Sequence, residues 1–213
     1  MSHDRDNDGA IGGGNEIFIL ASAAPGPTPI ADMDVDAAGH VAFAFFNSTT
    51  GELRLARDRS GDGDYGDTLS GNPESATLIT DAGTRCAGVS YDDAGILAVV
   101  YGTGSSTPTL GRDLDGDGDF SGAGESVALG TEPALACDVA GGGTPGFSVL
   151  VESDDGLTLY VDRDADGDFD GAGENRLIGL ATAGPYAPIG VTRSETGRTI
   201  VATRADLFLD VAP

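Results

Sequence analysis

The chain has 213 residues, with 35 acidic side chains, 11 arginines, no lysine and a formal net charge of −24. Such a charge excludes a nucleic-acid surface, whose phosphates it would repel. No apolar run approaches the roughly 20 residues of a membrane-spanning helix, so membrane insertion is excluded as well.

Twenty of the 35 acids lie in four loops of one pattern: DRDNDGAIGGGNE from Asp4, DRSGDGDYGDTLSGNPE from Asp58, DLDGDGDFSGAGE from Asp113 and DRDADGDFDGAGE from Asp162. Their starts are 54, 55 and 49 residues apart, a period that marks an array of similar supersecondary units. The loops hold only three arginines, Arg5, Arg59 and Arg163. Carboxylates this close repel one another unless a cation sits among them. An acidic, lysine-free surface fits a salty habitat and high-GC coding equally well. The opening residues MSHDRDNDG lack the apolar core of a signal peptide.

In chain order, the first loop is followed by a short strand carrying Leu20, at the fourth position past Glu16. A strand is predicted over Ile30–Val35, then a turn at AspAlaAlaGly (36–39), then a strand over Val41–Phe46. In the latter, Val41, Phe43 and Phe45 alternate with Ala42, Ala44 and Phe46, so both faces are apolar and both should be covered. Leu53 and Leu55 mark a third strand leading into the second loop, and Leu78 a fourth beyond it. The series repeats as Cys86–Tyr91, the turn AspAspAlaGly (92–95), Leu97–Tyr101, a weaker strand with Pro108 and Leu110, the third loop, and Leu129. It repeats again as Ala136–Ala140, Phe147–Val151, Leu157 with Leu159, the fourth loop, and Ile178. Last come Ile189–Thr192, the turn SerGluThrGly (194–197), Thr199–Thr203 and an apolar strand over 206–211 with no loop after it. No stretch keeps a helical period.

Four strands per unit and four units predict an all-β fold, a four-bladed β-propeller of four-stranded antiparallel blades. Residues 1–213 would be one domain, and each acidic loop would join the two outer strands of a blade. The join LFLDVAP-MSH-DRDNDGAIGGGNEIFIL parallels LTLYVDRDADGDFDGAGENRLIGL from Leu157. The N-terminal strand is therefore expected to complete the last blade and remove an open edge. The rival geometries are an open solenoid and a fragment of a larger propeller.

Ca²⁺ takes six to eight oxygen ligands, largely carboxylate and carbonyl. Each loop offers short acids at positions 1, 3 and 5, a turn glycine at 6, a backbone carbonyl at 7 and a later Glu. The candidate ligands are Asp4, Asp6, Asp8, Ala10 and Glu16 in the first loop, and Asp58, Ser60, Asp62, Asp64 and Glu74 in the second. In the third they are Asp113, Asp115, Asp117, Asp119 and Glu125, and in the fourth Asp162, Asp164, Asp166, Asp168 and Glu174. Single Asp-Gly turns are common for conformational reasons alone, but that does not account for alternating carboxylates repeated in loop after loop. The DxDxDG segments at Asp113–Gly118 and Asp162–Gly167 resemble the loops of EF-hands and of calcium-binding propeller repeats of the integrin α-subunit and FG-GAP/VCBS type. The likeness to the second group covers most of the chain at the level of repeat plan. Glu16, Glu125 and Glu174 fall at position 13 rather than 12, the flanks are strands, the second loop has four extra residues with Ser60 in place of an Asp, and the literal FG-GAP tokens are missing. The resemblance implies up to four Ca²⁺ ions with a structural role. Affinities of about 10⁻⁴–10⁻³ M, as in extracellular modules, would place the protein outside the cell or at its surface.

Cys86 and Cys137 fall in the innermost strands of consecutive units, close enough to bridge or to stay as two buried thiols. Asp32 and Asp138 share an inner-strand position where the other units have Gly88 and Gly190. They are candidates for an axial cation site or an acid–base pair, or are simply acids at a channel mouth. His3 and His40 are the only histidines, in tail and turn, and no GxSxG or HExxH pattern is present. The Gly runs at 12–14 and 141–143 lack a following Lys-Ser/Thr and read as turns. Tyr91, Tyr101, Tyr160, Tyr186, Phe120 and Phe169 can stack on sugars or pack between blades, with Phe120 and Phe169 anchoring their loops. The expected function is a noncatalytic, calcium-stabilised structural or adhesive module, with calcium, a glycan or another surface protein as partner. The alternatives are a lectin-like glycan binder and a carbohydrate-active hydrolase or lyase using Asp32 and Asp138.

Overall fold

The computed structural model describes residues 31–47, 51–59, 65, 68–69, 72–80, 84–103, 105–142, 146–162, 167–179, 189–194, 198–203 and 207–211. Sheet I contains β1 (Ala31–Val35), β2 (Val41–Asn47) and β3 (Glu52–Arg57). After a small pair formed by β4 (Thr68–Leu69) and β5 (Asn72–Pro73), it ends with β6 (Ser75–Ile79). Sheet II follows as β7 (Thr84–Tyr91), β8 (Leu97–Thr103), β9 (Thr109–Arg112) and β10 (Ser126–Ala128). Sheet III is β11 (Ala136–Gly141), β12 (Phe147–Ser153), β13 (Gly156–Val161) and β14 (Asn175–Gly179). The three described strands of sheet IV are β15 (Ile189–Arg193), β16 (Thr199–Thr203) and β17 (Leu207–Val211). Every pairing is antiparallel between neighbours in the meander. The strand expected before residue 31 to complete sheet IV lies outside the described residues.

The hairpins between first and second strands are built by their leading Asp. Asp36 Oδ1 accepts the amides of Ala38 and His40 at 2.9 and 2.8 Å, and Asp92 Oδ1 accepts those of Ala94 and Ile96, both at 2.9 Å. Gly39 and Gly95 close these turns at φ of 91° and 80°, a region that glycine enters without a Cβ clash. Side-chain acceptor and glycine together make DxAG a hairpin signal.

The core lies between consecutive sheets. Ala42, Ala44, Leu53 and Leu55 of sheet I meet Ala87, Val89, Leu97 and Val99 of sheet II. The other face of sheet II supplies Ala98, Val100 and Leu110 to Val139, Phe147, Val149 and Val151 of sheet III. Leu150, Leu157 and Leu159 of sheet III pack on Val201 of sheet IV. Strands β8 and β12 are therefore buried on both faces, as their doubly apolar alternation requires. First strands lie beside first strands, β1 against β7, β7 against β11 and β11 against β15. Cys86 and Cys137 join β7 to β11 through a disulfide, with Cα atoms 5.3 Å apart.

Register slips recur at one place. The β3–β6 ladder shifts between Leu53 and Arg54, and the β13–β14 ladder between Leu157 and Thr158, each four or five residues before its loop's first Asp. Such bulges bend and twist the outer pair locally. Leu129 lies just past β10, buried, with its N–H on Pro108 O at 2.8 Å.

Candidate metal centre

The third loop is described in full. The Asp113, Asp115 and Asp117 side chains each offer a ligand atom, all within 4.8 Å of one another. Oxygens on opposite sides of a Ca²⁺ ion stand about 4.6–5.2 Å apart, so the three can hold a metal ion of that size. Backbone amides pre-set the carboxylates. Asp115 Oδ1 accepts the Asp117 N–H at 3.0 Å, Asp117 Oδ1 the Asp119 N–H at 2.9 Å, and Asp113 Oδ1 the Gly118 N–H at 3.3 Å. Asp119 accepts the Ser121 N–H at 2.7 Å, and this bond, with one from the Ser121 side chain, holds its carboxyl below the usual range.

The Glu at position 13 has a different environment. Glu125 is buried, and its Oε1 accepts the amides of Leu114 and Asp115 at 2.9 and 3.3 Å while Oε2 accepts that of Gly122 at 2.7 Å. A Cβ on Gly122 would stand 2.5 Å from Glu125 Oε2, and one on Gly171 the same distance from Glu174 Oε2. The first glycine of GAGE is thus required by the close approach of its own loop's carboxylate. In the fourth loop Glu174 Oε2 accepts the Gly171 N–H at 2.8 Å, and in the second Glu74 Oε1 accepts the Arg59 N–H at 3.0 Å. Glu125 and Glu74 thereby tie the far end of their loops to the start.

The aromatic at position 8 packs on its own sheet, on the strand just before the loop in the third and fourth loops and on β2 in the second. Phe120 covers Gly111, whose Cβ position is 2.8 Å from the ring, Phe169 meets Tyr160 edge-on at 5.9 Å, and Tyr65 meets Phe43 edge-on at 5.1 Å. Tyr91 and Tyr101 pack between sheets I and II, and Tyr160 between II and III. Tyr186 lies outside the described residues.

Three arginines reach from one sheet or its loop to the next loop, a role that sequence reasoning gave to none of them. Arg57, at the end of β3, pairs with Asp113 Oδ2. Arg59 donates to the carbonyls of Asp117, at 3.0 Å, and Gly116. Arg112, at the end of β9, donates to Gly167 O and to Gly124 O at 3.0 Å, with Asp162 Oδ2 at 3.8 Å. Burial pulls the Arg112 guanidinium down from its usual range, against the carboxylates of Asp162 and Asp168. The sequence signal was there, an Arg directly before Asp58 and Asp113.

Asp58 and Asp162 are buried at the starts of their loops, and Asp162 Oδ2 accepts the Gly167 N–H at 3.1 Å. Asp168 Oδ1 accepts the Asp170 N–H at 2.9 Å. Ser60, Asp62, Asp64, Asp164, Asp166 and the whole first-loop set, Asp4, Asp6, Asp8, Ala10 and Glu16, lie outside the described residues.

The two inner-strand acids face a cavity of about 480 Å³ lined by β1, β7, β11 and β15. Each bridges to the next first strand. Asp32 Oδ2 accepts the Val89 N–H at 2.8 Å, and Asp138 Oδ2 accepts the Val191 N–H at 2.7 Å. A Cβ on Gly88 would sit 3.0 Å from the Asp138 backbone, so the alternation of Asp and Gly around these strands is one of packing as well as charge. Burial pushes the Asp138 carboxyl up to about 6, helped by the Asp32 charge and opposed by the Val191 amide; burial raises Asp32 too. His40 is paired with Asp36 at 2.9 Å in its turn.

No family model matches the sequence, and no curated protein matches it. Among solved structures the chain is similar to AofleA from Arthrobotrys oligospora, at 13% identity and a TM-score of 0.46, covering 82% of this chain and 50% of that one. It is similar to the intramolecular trans-sialidase from Ruminococcus gnavus, solved with oseltamivir carboxylate, at 13% identity and 0.44, covering 84% and 41%. A GH43 glycoside hydrolase engineered for both endo-xylanase and exo-arabinofuranosidase activity follows at 15% identity and 0.40, covering 82% and 34%. The chain spans half or less of the length of each, and none of their activities is carried over on a likeness of this size.

Proposed function

We propose that this chain is a calcium-stabilised β-propeller serving as a noncatalytic structural or adhesive module of a secreted or surface protein. The observation that carries the reading is the Asp113, Asp115 and Asp117 triad, with ligand atoms within 4.8 Å on a loop whose pattern occurs four times. Those carboxylates, with the backbone carbonyl of Asp119, would hold the ion, and the same positions would do so in the other loops. Calcium suits a flexible, carboxylate-rich cage better than magnesium, which demands near-ideal octahedral geometry. The ring is proposed to close with the segment before residue 31 adding the outer strand of sheet IV. A disulfide between β7 and β11 fits an oxidising compartment, and partners there would be a glycan or another surface protein.

Metal bound only by the folded chain stabilises it by mass action, about 2.7 kcal/mol for one site at a hundredfold excess over Kd. For a chain of this size that corresponds to about 5–10 °C in Tm. Melts in 10 mM calcium and in chelator should differ by at least this much, and Asp115→Asn with Asp117→Asn should remove part of the difference. Equal midpoints for the unmodified chain would end the calcium reading.

The axial cavity favours a second reading, hydrolysis of a carbohydrate between Asp32 and Asp138. A carboxyl raised to about 6 suits a general acid near neutral pH. Activity on a panel of glycosides should then fall above about pH 6 and vanish in both Asp32→Asn and Asp138→Asn. Activity surviving both changes would dismiss these acids.

A further inference from the structure

The first Asp of a metal loop is shared with an arginine from the preceding sheet. Arg57 and Asp113 are 6% and 6% exposed, and Arg112 and Asp162 are both 7% exposed, so both pairs sit out of water. The glycine of each DxDxDG makes room for the guanidinium. Arg57 Nη2 lies against the Cβ position of Gly118, and Arg112 Nη2 lies 3.1 Å from that of Gly167. Those glycines also hold φ of 101° and 93°. One residue therefore gives the loop its turn and gives the neighbouring cation its entry. The arrangement is repeated, Arg57 to the third loop and Arg112 to the fourth, and the residues before Asp4 and Asp162 are His3 and Val161.

We propose that Arg57 and Arg112 are resident counter-cations of the third and fourth calcium loops, standing in for the metal when it is absent and weakening its binding when it is present. The proposal rests on the calcium reading above. Without an ion, the crowded carboxylates would repel one another and loosen the loop; a buried guanidinium on the first Asp offsets that repulsion and keeps the loop docked on the preceding sheet. When calcium arrives, the same positive charge stands beside it and takes up one oxygen of a shared ligand. Two close cations repel, and they do so more strongly where water is excluded. The arginine thus holds the empty loop in shape and sets the calcium concentration at which it fills.

The test compares the full chain with Arg57→Met, which keeps much of the apolar stem and drops the charge, and with Arg57→Lys, which keeps the charge. Calorimetric calcium titration and melts in calcium and in chelator are the readouts. Arg57→Met should bind one calcium about tenfold tighter, and Asp115→Asn in that background should abolish the tightened site. Its Tm should fall more in chelator than in calcium, while Arg57→Lys keeps an affinity within about threefold of the unmodified chain. A fall in Tm equal in both conditions, with affinity unchanged or weaker, would overturn the proposal and leave the arginine a plain bracket between sheets. If the unmodified chain binds no calcium, both this proposal and the calcium reading fail. Should Arg57→Met not fold, Arg112→Met carries the same expectations for the fourth loop.

Discussion

At the residue scale, carboxylates of the same loop have different tasks. The alternation of Asp113, Asp115 and Asp117 is legible in the sequence because only short acids on alternate positions of a tight loop converge on one point. The role of the position-13 Glu is not legible there, since a ligand and a brace call for the same residue type. In the folded chain Glu125 is buried and its two oxygens accept three backbone amides, the arrangement a brace requires. Glu125→Gln would turn an NH₂ group toward an amide donor and strand it. Leaving a buried donor unsatisfied costs about 1–3 kcal/mol, or about 2–12 °C in Tm for a chain of this size. The fall should be the same in calcium and in chelator, with the number of calcium ions unchanged. A fall seen only with calcium present would make Glu125 a ligand.

At the element scale, the strands follow from period-two alternation and the turns from DxAG. Strand β2 could be read as doubly covered because Val41–Phe46 is apolar on both faces, and the sheets on either side of β8 and β12 meet that expectation. Two features escaped. The four extra residues of the second loop form the small β4–β5 pair, whose two-residue strands are too short to show alternation. The partners of Asp32 and Asp138 escaped because one-dimensional spacing places equivalent positions around an axis without saying how closely the first strands approach. They approach closely enough for side-chain-to-backbone bonds of 2.8 and 2.7 Å, and Gly88 lets β7 come close to the Asp138 backbone. The sequence displayed the Asp–Gly alternation; the closeness of β7 to β11 at Gly88 shows only in the folded chain.

At the scale of the whole molecule, neighbouring sheets are fastened at two places. Between the first strands the Cys86–Cys137 bond ties β7 to β11, and at the loops Arg57 and Arg112 tie sheets I and II to the loops of II and III. Sheet II lies almost wholly inside the covalent loop, which closes over a separation of 51 residues. In the chain-entropy account such a loop removes about 4 kcal/mol of disorder from the unfolded chain. Native cores rarely return the whole amount, so a loss of about 2–4 kcal/mol is expected for Cys86→Ala with Cys137→Ala, or about 4–16 °C in Tm. Because the bond acts mainly on the unfolded ensemble, the calcium affinity of the third loop should stay within about twofold. An unchanged Tm, with free thiols confirmed in the reduced parent chain, would mean that Val100, Val139, Phe147 and Val149 hold sheets II and III together without covalent help. A large loss of calcium affinity would mean that the β7–β11 fastening and the third loop move as one body.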